Sequence, residues 1–244
     1  MAKKKKQQKQ KVYHLMILDD SASMRTVRGV TISGLNEQLI SLRKSKEDFP
    51  DQEQIICLLK FGTSIDHETL WNKTINNFND FNDDTYDPDQ GGTALLDGIG
   101  AGIIKLRDQI QDELSKRQAN AIITIFTDGG ENSSKQFTNE QISSLINEIK
   151  ASGQWTVAFM GCSNDVFEVA ASMGIDRGNT MHYAQGAVGT QAAFRSLSQS
   201  RYDRTARYDA ALNSDKNTDE INKNLDFFGV PNLDMEEDKD ETNS

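Results

Sequence analysis

Three short stretches of this sequence concentrate hard oxygen donors. Asp19-Asp20-Ser21-Ala22-Ser23 follows the apolar run Val12 to Leu18. Gly91-Gly92-Thr93 precedes an amphipathic stretch, and Thr127-Asp128-Gly129-Gly130-Glu131-Asn132 follows the most apolar run in the chain, Ala121 to Phe126. Asp19, Ser21, Ser23, Thr93 and Asp128 together offer two carboxylates and three hydroxyls, with no His or Cys among them. That set suits Mg²⁺ or Mn²⁺ and does not suit Zn²⁺ or copper. In an Asp-x-Ser-x-Ser turn the alternate residues face one way, so Asp19, Ser21 and Ser23 can converge on one ion. Gly91 and Gly92 allow close backbone approach, Thr93 arrives near a helix start, and Asp128 adds direct or outer negative charge.

Positioning five such residues requires elements that end at one place. Val12 to Leu18 and Ile55 to Phe61 read as buried strands, and Val27 to Lys46 spaces Val27, Val30, Leu35, Leu39, Ile40 and Leu42 at helical intervals. His67 to Trp71 reads as a short edge strand, and residues 72–92 as a long polar loop over the top of the sheet, with one weakly amphipathic patch at Ile75, Phe78 and Phe81. Thr93 opens a helix with Leu95, Leu96, Ile99, Ile103, Ile104, Leu106 and Ile110 on its inner face, and Ala121 to Phe126 is a central strand covered on both sides. Thr138 with Gln141 predicts a capping box for a helix through Lys150, closed by Gly153. Trp155 to Met160 and Met181 to Ala184 are further strands, Asp165 to Met173 a short helix ended by Gly174, and Thr190 to Tyr202 the start of a last helix. This alternation predicts an α/β fold: a Rossmann-like, doubly wound, mostly parallel sheet with helices on both faces and one antiparallel edge strand. Ligands of such sheets bind beyond the carboxyl ends of the strands, where the three donor segments fall.

The order Asp19-x-Ser21-x-Ser23, Thr93, Thr127-Asp128-Gly129 resembles the metal-ion-dependent adhesion site (MIDAS) of von Willebrand factor A (vWA) domains, over roughly Val12 to Tyr202. The resemblance implies that Asp19, Ser21, Ser23, Thr93 and Asp128 surround Mg²⁺ or Mn²⁺. It further implies that an exposed Glu or Asp of a protein partner fills an open coordination position. The acidic pair Asp19-Asp20 also invites comparison with phosphoacceptor receiver domains. Those need a Lys at a later strand end, whereas the next strand here ends Met160-Gly161-Cys162, and Gly91-Gly92-Thr93 would have no role. No enzyme is expected: hydrolysis at Mg²⁺ needs a positioned base or nucleophile, and His14, His67 and His182 are scattered.

At 244 residues the chain can bury one sizeable core. The organisation expected is a basic arm over 1–11, a vWA domain over 12–212 and an acidic tail over 213–244. A net charge of -10 disfavours nucleic acid and anionic membranes as partners, and no apolar stretch approaches the roughly 18 residues needed to span a bilayer. Cys57 and Cys162 read as a reduced, buried pair, and no secretory leader is visible, which together predict a cytoplasmic protein. Asp83, Asp84, Asp87 and Asp89 read as solvated loop charge or part of a rim around the site. In the tail, Leu225, Phe227, Phe228, Val230 and Leu233 form an apolar island that either docks on a partner or packs back on the domain. Asp234, Glu236, Glu237 or Asp238 could occupy the open metal position as a tethered competitor, in which case deletion after Ser214 strengthens binding. Two function classes follow: a metal-dependent binding module in an intracellular assembly, or a structural subunit of a phage-encoded or ATPase-associated assembly whose contacts ignore the metal.

Overall fold

Apolar strand residues on both faces of the sheet force helices onto both sides. The computed structural model describes residues 9–66, 70–89, 91–213 and 226–229. The sheet is centred on β1 (Gln10–Asp19), which pairs in parallel with β2 (Gln52–Phe61) on one side and β5 (Ala119–Phe126) on the other. Beyond β5 lie β6 (Trp155–Gly161) and β7 (Thr180–His182), both parallel. Two short strands, β3 (Ile65–Asp66) and β4 (Lys73–Thr74), pair antiparallel with β2. The strand expected over His67 to Trp71 is therefore displaced to these two flanking dipeptides, and residues 67–69 lie outside the described set.

The face carrying Tyr13, Leu15 and Ile17 packs on α2 (Leu95–Ser115), α3 (Asn139–Ala151) and α4 (Val166–Ser172) through Ile99, Ile103, Ile146 and Val166. The opposite face, with Met16, Leu18 and Ile122, packs on α1 (Arg28–Asp48) and α5 (Ala187–Leu212) through Leu35, Leu39, Phe194 and Leu197. The capping box of α3 is formed, with the Thr138 side chain accepting from Gln141 N–H and Gln141 Oε1 accepting from Thr138 N–H. Gly153 and Gly174 take φ of 72° and 78°, which ends α3 and α4 as expected.

Three expectations need correction. Ile40, counted among the helically spaced apolar residues of α1, is 64% exposed, while Thr31, Gln38 and Ser45 are buried. The inward stripe of α1 is partly polar because it meets polar side chains of α5. β1 begins at Gln10, inside the supposed arm, because pairing with Gln52 and Ala119 extends the ladder by two residues. The segment following β4 does not simply arch over the top. Asn36 holds Phe81 through both its backbone groups, Arg43 reaches Phe78 O and Asp80, and Arg28 reaches Tyr86 O. Residues 75–89 thus run antiparallel along α1 toward the carboxyl end of the sheet, burying Ile75, Phe78, Phe81 and Tyr86 in the second core. This strap covers apolar surface that α1 alone leaves open.

Helices α1 and α5 cross at Gly34, where an added Cβ would lie 2.3 Å from the Phe194 ring. Gly34→Ala is expected to cost about 1–3 kcal/mol through overpacking, read as a lower urea midpoint with unchanged slope. An unchanged midpoint would mean that the crossing is looser than the geometry indicates. Of the tail island, Phe227 is buried in the second core, with its N–H donated to Asn179 Oδ1 at 2.8 Å and Phe228 N–H donated to Gly178 O at 2.9 Å. That part packs back on the domain. Leu225, Val230, Leu233 and the acidic run beyond fall outside the described residues. Among the described residues no helix is long and apolar enough to cross a membrane.

Candidate metal centre

The connections from β1 leave toward β2 on one side of the sheet, while β5 and β6 extend the other, so β1 and β5 meet at a topological switch point. Asp19 ends β1, and Asp128 follows β5 by two residues. The Asp19 carboxylate is fully buried and accepts Ser21 N–H on Oδ1 at 2.8 Å and the Thr127 hydroxyl on Oδ2 at 2.5 Å. Ser21 Oγ lies 3.0 Å from Ser23 Oγ, and Ser23 donates to Asp128 Oδ1 at 2.7 Å. One polar chain therefore joins Thr127, Asp19, Ser21, Ser23 and Asp128. Thr93 reaches the same place from the start of α2: an added Cβ on Gly129 would meet its Oγ1 at 3.4 Å. All five residues singled out from the sequence are brought together.

Burial raises the Asp19 carboxyl above its ordinary range; hydrogen bonds from Thr127 and Ser21 oppose this, and the Asp128 charge adds to it. Burial also raises Asp128, opposed by Ser23. Two carboxylates pushed toward protonation by burial, with hydroxyls between them, form an environment that a hard divalent cation would relieve. Among the described residues no group of three or more His, Cys, Asp and Glu is placed to hold a metal ion, so none of them offers a carboxylate or thiolate cage as a rival. The residues present fit Mg²⁺ or Mn²⁺.

Several supporting residues were not legible beforehand. Tyr86, carried up by the strap, donates its hydroxyl to Asp19 O at 2.8 Å, and Tyr183 donates to Thr127 O at 2.9 Å. Cys162, half-buried rather than fully buried, sets its Sγ 3.1 Å from Asp128 O. Thr93 N–H donates to Asn132 Oδ1 at 2.9 Å and Thr93 O accepts Asn132 N–H at 3.1 Å, while Gly92 N–H donates to Thr63 Oγ1. A Cβ on Gly92 would sit 2.1 Å from Ser133 Oγ, so a larger residue there displaces that hydroxyl from Asn132. Glu131 accepts the N–H of Leu96, Ser133 and Ser134. Asn132 and Glu131 share a loop with Asp128, a usable signal; the tyrosines lie far off in sequence and gave none. The acidic strap residues act as latches, with Asp89 paired to Arg25, and Asp83 and Asp87 at 3.1 and 3.4 Å from Arg28. Asp84 is exposed, its N–H bonded to Asn82 Oδ1.

No protein-family model matches the chain, and no curated protein matches it. Solved structures do. The pilus adhesin SpaC from Lactobacillus rhamnosus GG aligns with a TM-score of 0.60 and 14% identity, over 80% of this chain and 31% of that one. Proximal thread matrix protein 1 from the mussel byssus gives 0.52 and 13%, over 78% and 46%. The human COPII-coat protein Sec24c gives 0.51 and 12%, over 78% and 32%. The chain thus spans a third to a half of the length of these proteins. At such identities the likeness establishes the fold, which is vWA-like: a mostly parallel sheet flanked by helices, with antiparallel pairing at one edge.

Proposed function

We propose that this chain is a protein-binding module that takes Mg²⁺ or Mn²⁺ at Asp19, Ser21, Ser23, Thr93 and Asp128 and recognises an exposed Glu or Asp of a protein partner. The observation that carries this reading is the convergence of three separated segments, through the chain of hydrogen bonds from Thr127 to Asp128, at the carboxyl end of the sheet. When bound, the ion supplies an electrophilic coordination position. The protein's own part is to hold donors still. Thr127 and Ser21 fix the Asp19 carboxylate, Ser23 fixes Asp128, and Asn132 fixes the backbone under Thr93. With two carboxylates among five donors, the ion keeps positive charge for a partner's carboxylate.

The reading includes no catalysis. His14 is fully buried and bonded to Gln54, away from the site, and His182 is exposed at the end of β7. The test is a Mn²⁺ titration of the purified chain, followed by partner capture in Mg²⁺ and in EDTA, with Thr93→Ala, Asp128→Ala as the control. Saturable Mn²⁺ binding, and a partner lost both in EDTA and with the double variant, are expected. A partner retained in EDTA would instead support the assembly subunit whose contacts ignore the metal.

A further inference from the structure

The last stretch of the strap, residues 82–89, borders all three donor segments of the candidate metal centre. Tyr86 is fully buried and donates its hydroxyl to Asp19 O at 2.8 Å. The Asp19 carboxylate ends β1 and accepts Ser21 N–H on Oδ1, so the Asp19 carbonyl belongs to the peptide from which that turn starts. Holding the carbonyl holds the turn. Arg25, two residues beyond Ser23, donates Nε–H to Pro88 O at 2.9 Å and pairs with Asp89. Four residues past Asp89 the chain reaches Thr93, the donor that precedes α2. One short segment therefore holds Asp19 directly, reaches the Ser21 to Ser23 turn through Arg25, and runs on into Thr93.

The segment itself is lightly anchored. Within 82–89 only Tyr86 and Pro88 are buried, while Ile75, Phe78 and Phe81 anchor the strap before it. Arg28 ties it to α1 by donating to Tyr86 O at 3.1 Å and Asp83 O at 2.9 Å. The Arg28 ion pairs with Asp83 and Asp87 involve carboxylates that are largely exposed, and such pairs contribute little. The N–H groups of Thr85 and Tyr86 turn back to Asn82 O, each at 3.1 Å. Segments with few buried contacts open locally while the rest of the domain stays folded. Opening of this one withdraws the hydroxyl from Asp19 O, and a donor turn without that support holds an ion less well. Linkage then requires the bound ion to oppose the opening by the same factor.

We propose that Tyr86 is a positioning residue of the metal centre, and that its hydroxyl couples ion binding to the docking of residues 82–89. The proposal rests on the reading of Asp19, Ser21, Ser23, Thr93 and Asp128 as a metal site.

The test combines Mn²⁺ titration with amide hydrogen exchange of peptides covering 82–89, in EDTA and in saturating Mn²⁺. In the wild type, Mn²⁺ should slow exchange in this segment by about 10-fold. Tyr86→Phe keeps the ring and removes the hydroxyl. It should weaken Mn²⁺ binding by about 10-fold and remove most of the slowing. Arg28→Met loosens the same segment from its other side. It should speed exchange in EDTA yet keep the Mn²⁺ response, because the Tyr86 hydroxyl remains. A Tyr86→Phe chain with a lower unfolding midpoint but wild-type Mn²⁺ affinity would show that the hydroxyl serves the fold alone, which overturns the proposal. Loss of the response in both variants would assign it to general packing and overturn it equally. A wild type that binds no Mn²⁺ would instead overturn the metal reading, and the coupling with it.

Discussion

Asp128→Asn is expected to weaken Mn²⁺ binding by about 10- to 100-fold while raising the unfolding midpoint of the metal-free protein. Burial is the main cause that raises the Asp128 carboxyl, so ionising it costs more in the folded chain than in the unfolded one. Between the ordinary carboxylate range and the raised value, the folded state binds more protons than the unfolded state. Stability from this group therefore falls as pH rises through that window, and above it the whole penalty is present. An amide has no such penalty, and its oxygen still accepts the Ser23 hydroxyl that Asp128 Oδ1 accepts at 2.7 Å. In EDTA the variant should melt above wild type. In saturating Mn²⁺ the order should reverse, because only the wild type gains strongly from ligand binding. Acidification should weaken Mn²⁺ binding by the wild type at a higher pH than an ordinary carboxylate would, since protons and the ion compete for Asp19 and Asp128. Calorimetry in the two buffers reads all of this. Equal Mn²⁺ affinity in the variant would remove Asp128 from the site, and a lower midpoint in EDTA would refute the electrostatic account.

The mostly parallel sheet, and the oxygen-rich segments that meet at its carboxyl end, were legible because each rests on a strong local signal. Continuous apolar runs marked β1, β2, β5 and β6, and two of the oxygen-rich segments stand at the ends of β1 and β5, the third at the start of α2. What was not legible depends on partners distant in the chain. Ile40 lies five residues from Leu35 and one from Leu39, spacings that turn it off their face toward solvent, while Gln38 sits inward and meets Arg201 from α5. In residues 72–92 the patch Ile75, Phe78 and Phe81 was visible, but its docking along α1 was not, since arginines on α1 supply the latches and Tyr86 joins it from further on. The same holds at the site: Tyr86 supports Asp19 across 67 residues of sequence, and no spacing rule finds such a pair. Polar burial under α5 is the extreme case. Nothing in the sequence around Arg201 and Arg204 marks them as buried; it is the sheet beneath, carrying His14, Asn120, Thr124 and Thr156, that takes them in.

Asp97→Ala should give the largest loss of stability among single changes near the site, about 3 kcal/mol, or roughly 6–12 °C in midpoint. Asp97 lies in the first turn of α2, nearly fully buried. Its Oδ2 accepts Lys135 N–H, and its Oδ1 accepts those of Gln136 and Phe137, each at 2.9 Å. Three backbone donors of the loop leading to α3 thus end on one carboxylate, at a helix end where the dipole also favours negative charge. Alanine leaves all three without an acceptor. Asparagine keeps an oxygen for Gln136 and Phe137 and loses only the bond from Lys135, so Asp97→Asn should cost about 1 kcal/mol. Because Glu131 and Asn132 clamp the same loop nearer Asp128, Mn²⁺ affinity should fall far less in Asp97→Ala than in Asp128→Asn. The two positions then separate by sign: losing one carboxylate loosens the fold and largely spares the ion, while losing the other tightens the metal-free fold and releases it. Urea unfolding and Mn²⁺ titration of both variants test this, and a loss below about 1 kcal/mol in Asp97→Ala would show that the loop is held by other means.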